Sequence, residues 1–386
     1  MLWIGNGKVL TMDGELCYDL GYVGVRGGKI DYVGEECGAQ EGDTVLDAHG
    51  GWILPGLVEA HCHIGIQEDK KGAEGDDCNE GTNPVTPWLR AIDGINPMDP
   101  AFHCAIKAGI TSVMVGPGSA NVVGGQFVFM KTHGRTMEDM IVKFPAAMKV
   151  AFGENPKTLY GGDNAMPATR MAIAGMLRQE LSRAVRYRKE KEAGGEDFAE
   201  DFALEPWLPV LSGEIPLKAH AHRADDILTA IRIAREFGVS MTLDHCTEGH
   251  LIAEEIRESG FPVICGPHLA NRNKLEIQNS DFKTPGILAK KGILTAIMTD
   301  HPVSMIQYLP ICAAYAVKNG MDEAEALRAI TANAAKICGA EERVGRLKKG
   351  LDADVAVFDG NPMFVQTETL YTIIGGQIVY DWQKDD

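Results

Sequence analysis

Polar side chains close four apolar segments that are spread over most of the chain. They are the pair His61 and His63, followed by His220, His245 and Asp300. In a barrel of eight parallel strands, catalytic residues lie at the carboxyl ends of several different strands. Imidazole and carboxylate groups are also common metal ligands. The distribution therefore predicts an α/β fold, a (β/α)8 TIM barrel, with a metal site at one end.

The middle of the chain alternates strand-like and helix-like segments, which predicts a parallel sheet or barrel. Eight strands are expected to end near His63, Val115, Met130, Val150, His220, His245, Cys265 and Asp300. A helix after the fifth strand is expected to start at Asp225 and to end at Gly238. The acidic, glycine-containing segment 67–96 follows the first histidine pair, so we expect it to lie over the site.

The two ends of the chain have a different texture from the middle. Residues 1–55 and 345–386 contain short β-type segments that are separated by Gly and Asp turns. We expect these two segments to pair into one composite β-sandwich domain. Residues 56–344 would then form the barrel that contains the metal site.

Composition excludes several classes of partner. A formal net charge of −17 over 386 residues argues against nucleic acid and against an anionic membrane. Nine cysteines without paired spacing indicate reduced thiols and a cytoplasmic protein. Neither a signal peptide nor a membrane-spanning run is predicted. The expected partner is therefore a small-molecule substrate.

Strand alternation places candidate ligands on common faces. His61 and His63 point to the same side of a strand and form a platform for a divalent metal. The alternative is a buried, hydrogen-bonded pair. In the fifth strand, Lys218, His220 and His222 share one side. We expect His220 to bind metal and His222 to support the ligands or to face the substrate.

The combination of His-x-His, His, His and Asp on strands one, five, six and eight resembles the amidohydrolase superfamily. Segments 54–63 and 331–358 resemble the family's entry into its barrel and its exit into the β domain. The resemblance covers nearly the whole chain and is strongest to the imidazolonepropionase-related amidohydrolases. It implies hydrolysis of an amide or cyclic-amide C–N bond by a metal-activated hydroxide.

The same resemblance implies a binuclear centre, because the family commonly bridges two metals with a carboxylated lysine on the fourth strand. Lys149 occupies the matching position. The implied ligands are His61, His63, Lys149, His220, His245 and Asp300. Burial disfavours a charged amine, which favours the carboxylated form. The alternatives are a Lys149 that reaches solvent or pairs with Glu154, and Lys218 as the bridging group. Zinc is the expected metal, although manganese, iron and nickel suit these ligands.

The resemblance gives Asp300 the catalytic role of accepting the proton of the attacking water and passing it to the leaving nitrogen. Substrate recognition is assigned to residues in or near loops, namely Tyr160, Arg170, His222, His268 and Lys274. Arg170 could bind a carboxylate in a bidentate fork, and His268 could polarise the scissile carbonyl. Each also has a plain alternative as a surface or helix-capping group.

Three other functions are weighed against amide hydrolysis. An Xaa-Pro-type dipeptidase is close in mechanism and stays open. A mononuclear deaminase of the same superfamily is disfavoured because Lys149 is present and no glutamate closely follows His220. A non-catalytic binding protein is disfavoured because the full ligand set is present. A homo-oligomer is expected from the habit of the family.

Overall fold

The computed structural model describes residues 1–69, 71–162, 164–194 and 198–384. Strands are numbered along the chain as β1 Leu2–Leu10, β2 Cys17–Arg26, β3 Lys29–Gly34, β4 Thr44–Asp47, β5 Trp52–Pro55, β6 Leu57–Cys62, β7 Ile110–Val115, β8 Val123–Lys131, β9 Ile141–Ala151, β10 Leu217–Ala221, β11 Met241–His245, β12 Val263–Cys265, β13 Thr295–Ile297, β14 Val355–Phe358, β15 Thr369–Ile374 and β16 Gln377–Asp381. Helices are α1 Pro100–Lys107, α2 Met137–Met140, α3 Glu154–Gly162, α4 Arg170–Ala193, α5 Leu208–Leu211, α6 Ala224–Phe237, α7 Ala253–Ser259, α8 Thr284–Lys290, α9 Leu309–Lys318, α10 Glu323–Ala329 and α11 Ala332–Ile337.

Strands β6 to β13 form one eight-stranded sheet in sequential order. Most of these strands are buried along their whole length, as expected for a sheet that has both faces covered. The first and last strands approach each other, since the backbone N–H of His63 donates to the carbonyl of His301 at 2.8 Å. The sheet is therefore a nearly closed barrel.

The third barrel strand does not follow the predicted alternation of parallel strands and helices. β8 runs antiparallel to both β7 and β9, so its N-terminal end, not the end near Met130, lies at the catalytic edge. A parallel connection needs a crossover of about a dozen residues or more. The linkers 116–122 and 132–140 are shorter than that. The prediction of eight parallel strands, each followed by a helix, is therefore wrong at this position.

Helix α6 shows why the helical layer forms where it does. Asp225 and Asp226 lie in its first turn, where negative charge is favourable, and Gly238 ends it in the left-handed conformation with φ 66°. Its buried face includes Ile227 and Ile231, which pack into the core around the barrel. The helix predicted after the fifth strand is thus confirmed.

The remaining eight strands form a second sheet in the order β16-β15-β14-β5-β1-β2-β3, with β4 paired to β1. Strand β14 pairs antiparallel with β5, which joins the two ends of the chain. This confirms that the terminal segments pair with each other. The sandwich arrangement and the boundaries 1–55 with 345–386 and 56–344 stay predictions. Gly56 alone separates β5 from β6, so the two sheets are continuous along the chain.

Within the described ranges, every helix is too short or too polar to cross a lipid bilayer. All nine cysteines fall in these ranges as free thiols, and six of them are buried.

Candidate metal centre

The residues that close the apolar segments converge at the carboxyl edge of the barrel, and all are buried. Asp300 Oδ1 lies 3.2 Å from His63 Nε2 and 3.5 Å from His61 Nε2. The rings of His220 and His245 are 4.3 Å apart between centroids, and those of His61 and His245 are 5.6 Å apart. Side chains from four strand ends thus share one small volume.

Local backbone conformation contributes to this convergence. His245 and Asp300 have φ values of 74° and 54°, which non-glycine residues rarely adopt. Such residues cluster at functional sites, where the surrounding structure holds them in place. Neighbouring residues of a strand normally point to opposite sides. At the end of β11 the left-handed conformation of His245 allows its side chain to reach the cavity, while the side chain of Asp244 also reaches the ligand His61.

Several of the imidazoles are fixed through their Nδ1 atoms. The pairs are His61 with Asp244 Oδ2 at 2.6 Å, His63 with the Gly116 carbonyl at 2.7 Å and His245 with the Gly266 carbonyl at 2.8 Å. Carbonyl and carboxylate oxygens accept, so the proton belongs on Nδ1 and Nε2 faces inward. This arrangement is typical of metal-binding histidines.

The protonation of these rings follows from their surroundings. Burial lowers the pKa of His61, His220, His222 and His245 well below the ordinary value, so these rings are neutral and able to bind a cation. Burial also lowers the pKa of His63, but Cys78 and Asp300 outweigh it and raise the value to about 10. His63 Nε2 lies 3.2 Å from Asp300 Oδ1, so the two groups form an ion pair when His63 is protonated.

Two ligand atoms have no hydrogen-bond partner among the described residues, namely His245 Nε2 and Asp300 Oδ1. Buried polar atoms are nearly always satisfied, so such atoms need an explanation. The candidate ligand atoms of His61, His245 and Asp300 lie within 4.8 Å of one another, as do those of His220, His222 and His245. The donor set fits divalent cations.

Lys149 lies on β9, fully buried, with Nζ 3.3 Å from His61 Nε2. Burial lowers its pKa to about 8, although Asp244 and Asp300 oppose the shift. Lys218 Nζ is engaged deeper in the barrel, where it donates to the Ala60 carbonyl at 3.0 Å and pairs with Asp244 at 3.1 Å. Of the two lysines, Lys149 is the one whose amine contacts a ligand imidazole.

A cavity of about 910 Å³ opens onto these residues. His63, His220, His222, His245 and Asp300 lie at its floor, and Lys274 and several asparagines line its wall. Lys274 Nζ donates to Asn155 Oδ1 at 2.7 Å. Of the five residues predicted to contact substrate, the structure brings His222 and Lys274 to this cavity.

The other three lie outside the cavity lining. Arg170 Nε pairs with Asp226 Oδ1 at 3.0 Å, where the starts of α4 and α6 meet. The Tyr160 hydroxyl donates to the Glu80 carbonyl at 2.9 Å. The His268 ring lies 5.6 Å from the ring of Phe282. Each had been placed from its position near a loop, but the partners of a loop side chain are set by tertiary contacts.

Three buried carboxylates at the site were not predicted. Asp244 contacts His61 through a hydrogen bond. Glu59, on β6, accepts hydrogen bonds from the backbone N–H and the hydroxyl of Thr299, which follows β13, at 2.8 and 2.7 Å. Burial raises the pKa of Glu59 to about 7. Glu276 lies 3.8 Å from His220 Nε2. Acidic residues inside the apolar segments ending at His61 and His245 were the available signal for the first two.

Comparison with known proteins identifies relatives of this chain. Residues 211–379 match the amidohydrolase family. A solved structure of an amidohydrolase from Thermotoga maritima MSB8 is 41% identical, superposes with a TM-score of 0.95, and is matched over 99% of this chain and 100% of that one.

Two curated relatives are more distant. Amidohydrolase tasK of Hapsidospora irregularis is 28% identical over 99% of this chain, which spans only 42% of that protein's length. An imidazolonepropionase of Colwellia psychrerythraea is 23% identical over 93% of this chain and 91% of its own length. The similarity to the second protein therefore covers nearly the whole of both chains.

Proposed function

Since the chain belongs to the amidohydrolase family, we propose that it hydrolyses an amide or cyclic-amide C–N bond with two divalent metal ions. Zinc is the metal that we expect. The observation that carries the proposal is the convergence of buried ligand atoms, since those of His61, His245 and Asp300 lie within 4.8 Å of one another and His245 Nε2 has no hydrogen-bond partner among the described residues. The proposed ligands are His61, His63, Lys149, His220, His245 and Asp300, with Lys149 carboxylated. The buried amine of Lys149 beside His61 supports that modification.

The metal ions would supply a water molecule whose pKa is lowered to about 7. Asp300 lines the cavity, so its carboxylate can accept the proton of the attacking water and deliver it to the leaving nitrogen. His222 lines the same cavity. The fixed Nδ1 atoms of the other imidazoles hold their Nε2 atoms in place throughout.

Lys274 supports a substrate that carries a carboxylate. Its ammonium group lines the cavity, and its hydrogen-bond partner there is the neutral amide of Asn155. An anionic substrate group would add a charge-assisted bond that Asn155 cannot provide. This observation also keeps an Xaa-Pro-type dipeptidase as the second candidate, because such a substrate ends in a carboxylate.

The test combines metal analysis with a substrate screen. We expect about two ions per chain, and turnover with at least one class among acyl amino acids, Xaa-Pro dipeptides, lactams and cyclic amides. Cleavage confined to Xaa-Pro dipeptides would select the second candidate. One ion per chain together with ammonia release from an amino-substituted ring would overturn the proposal in favour of a deaminase.

Asp300→Asn tests the proton transfer directly. A general acid–base group is typically worth about 10² to 10⁴ in rate, so kcat should fall by that factor. The amide keeps the shape and one oxygen of the ligand, so most of the metal should remain bound. Near-normal kcat in a fully metallated variant would exclude Asp300 as the base. Asp226→Asn, at a buried carboxylate outside the cavity lining, is the matched control.

The compartment and the assembly state follow from weaker signals. Nine free thiols favour a reducing environment, which supports the cytoplasm. A homo-oligomer stays a prediction from the habit of the family.

A further inference from the structure

We propose that one of the two cations is bound by a four-residue subsite that consists of His220, His222, His245 and Glu276. This inference rests on the metal dependence proposed above and extends it, because the expected ligand set contains neither His222 nor Glu276. The second cation would be left to His61, His63 and Asp300, and the carboxylated Lys149 proposed above would remain a ligand beside His61.

The positions of the donor atoms carry the proposal. Glu276 Oε1 lies 3.8 Å from His220 Nε2 and 3.9 Å from His222 Nε2. The candidate ligand atoms of His220, His222 and His245 lie within 4.8 Å of one another. Ligands about 2.0 to 2.2 Å from a zinc ion lie roughly 3 to 4 Å from each other. Glu276 therefore lies at ligand-to-ligand distance from His220 and His222, and we infer that side-chain movements bring His245 and these three donors onto one ion.

One oxygen of the Glu276 carboxylate lacks a hydrogen-bond partner. Glu276 is only 1% exposed, and its Oε2 accepts a hydrogen bond from the backbone N–H of Glu154 at 2.8 Å. The other oxygen, Oε1, is fully buried and has no hydrogen-bond partner among the described residues. An unsatisfied buried acceptor is destabilising, and more so if it is charged. A cation between Oε1 and the imidazoles would remove that destabilisation.

His222 is oriented like the expected ligands. Its Nδ1 lies 2.7 Å from Thr247 Oγ1, so Nε2 points toward Glu276 and the cavity. His63 and His245 are also held through Nδ1, by carbonyl oxygens, and the Thr247 hydroxyl can accept from His222 Nδ1 in the same way. Asn155 Nδ2 lies 3.4 Å from His220 Nε2, at the limit of a hydrogen bond, and would compete with a cation for that nitrogen.

Charge balance supports the same assignment. With Glu276 included, each dication has its own carboxylate, Asp300 for one and Glu276 for the other. Glu276 belongs to the short 3-10 helix Leu275–Ile277, which lies in the loop after β12. The subsite thus includes a residue from the loop after the seventh barrel strand, a part of the barrel that contributes no residue to the expected ligand set.

The experiment measures zinc binding rather than activity. The full-length protein is stripped with a chelator and titrated with Zn²⁺ by calorimetry, and the stoichiometry is checked by elemental analysis after equilibrium dialysis. Glu276→Gln and His222→Asn should each keep one ion at wild-type affinity and weaken the other by at least about 10-fold, the lower end of the range for residues that support a metal site. A cobalt-loaded sample should show a changed visible spectrum in both variants.

Matched controls separate ligation from folding. His250 contacts a threonine hydroxyl through Nδ1, and Glu180 is a buried carboxylate with an arginine partner, yet neither lines the cavity. His250→Asn and Glu180→Gln should therefore bind both ions normally. Circular dichroism and thermal unfolding of the metal-free proteins report whether each variant folds.

Three outcomes are decisive. Two zinc ions bound with wild-type affinity in both Glu276→Gln and His222→Asn would overturn the subsite. Equal loss of both ions in folded variants would also overturn it, because a shared structural role would then explain the data. A wild-type protein that binds two ions in this way but hydrolyses no amide would refute the proposed function and leave the subsite standing.

Discussion

At the scale of single residues, the site depends on buried carboxylates whose contacts strand alternation does not predict. Alternation along β11 predicts that Asp244 and His245 face opposite ways. The positive φ of His245 breaks this rule, so both side chains reach the ligands. The histidines and Asp300 could be predicted because they close apolar segments. Asp244 stands out as an acidic residue inside an apolar segment, but its contact with His61 depends on a backbone conformation that the alternation does not encode.

Asp244→Asn should weaken metal binding by about 10- to 100-fold, the usual cost of losing a group that orients a metal-binding histidine. The variant also leaves Lys218 without its buried carboxylate partner, so its stability must be measured alongside. Zinc affinity from competition with a chromophoric chelator is the readout.

Thr242→Val tests the same idea without removing a charge, because the Thr242 hydroxyl donates to Asp244 Oδ1 at 2.8 Å. We expect a smaller loss of zinc affinity in the same direction. If Asp244→Asn folded normally and bound zinc like the wild type, Asp244 would have no role in positioning His61.

At the scale of elements, the positions of strands were more predictable than their directions. Apolar runs and turn residues located all eight barrel strands, and helix α6 had clear end signals. Hydrophobic patterns are the same whichever way a strand runs, so they could not show that β8 is reversed. Linker length carries that information, because the linker 116–122 is too short for a crossover helix.

The turn after β12 offers a test of how an element supports the site. A Cβ on Gly266 would lie 2.6 Å from the Met298 carbonyl oxygen, and its φ of 132° is unfavourable for any other residue. Gly266→Ala should therefore push β12 and the β13 segment apart and displace the carbonyl that holds His245. We expect a clear loss of stability, and weaker zinc binding.

Gly292→Ala is the matched control for this substitution. Gly292 also has a positive φ, of 76°, but its Cβ would meet no atom within 4 Å. That change should cost about 1 kcal/mol from backbone strain, with no effect on zinc affinity. Chemical denaturation and zinc titration of both variants give the comparison. Equal effects of the two substitutions would argue against steric displacement at Gly266.

At the scale of the whole molecule, a charge cluster joins the terminal segments to the barrel. Asp352 pairs with Lys131 at the end of β8, with Lys29 at the start of β3 and with Arg343, at 3.0, 2.7 and 2.8 Å. Burial alone would raise the pKa of Asp352, but Arg343 and the two lysines hold it well below its ordinary value of 3.8. The cluster therefore stabilises the contact between the two sheets while Asp352 is ionised.

Asp352→Asn should lower the free energy of unfolding at pH 7 by about 3 kcal/mol, as when one partner of a buried ion pair is removed. Because the folded-state pKa is lowered, this contribution is complete above pH 3.8 and is lost as the pH falls below it. The wild-type and variant stabilities should therefore converge in acid. Urea denaturation between pH 3 and 7 measures the difference, and a gap that stayed constant down to pH 3 would contradict this account.

The pairing of β5 with β14 has a consequence for biosynthesis. One edge of β5, which ends at Pro55, is completed only by residues 355–358. At about 5 to 20 residues per second, ribosomes need roughly 15 to 60 s to make the intervening stretch. Throughout that interval one edge of the apolar strand β5, which directly precedes the first barrel strand β6, has no pairing partner. Unpaired strand edges promote aggregation, so we expect chaperones to bind the nascent chain during this interval.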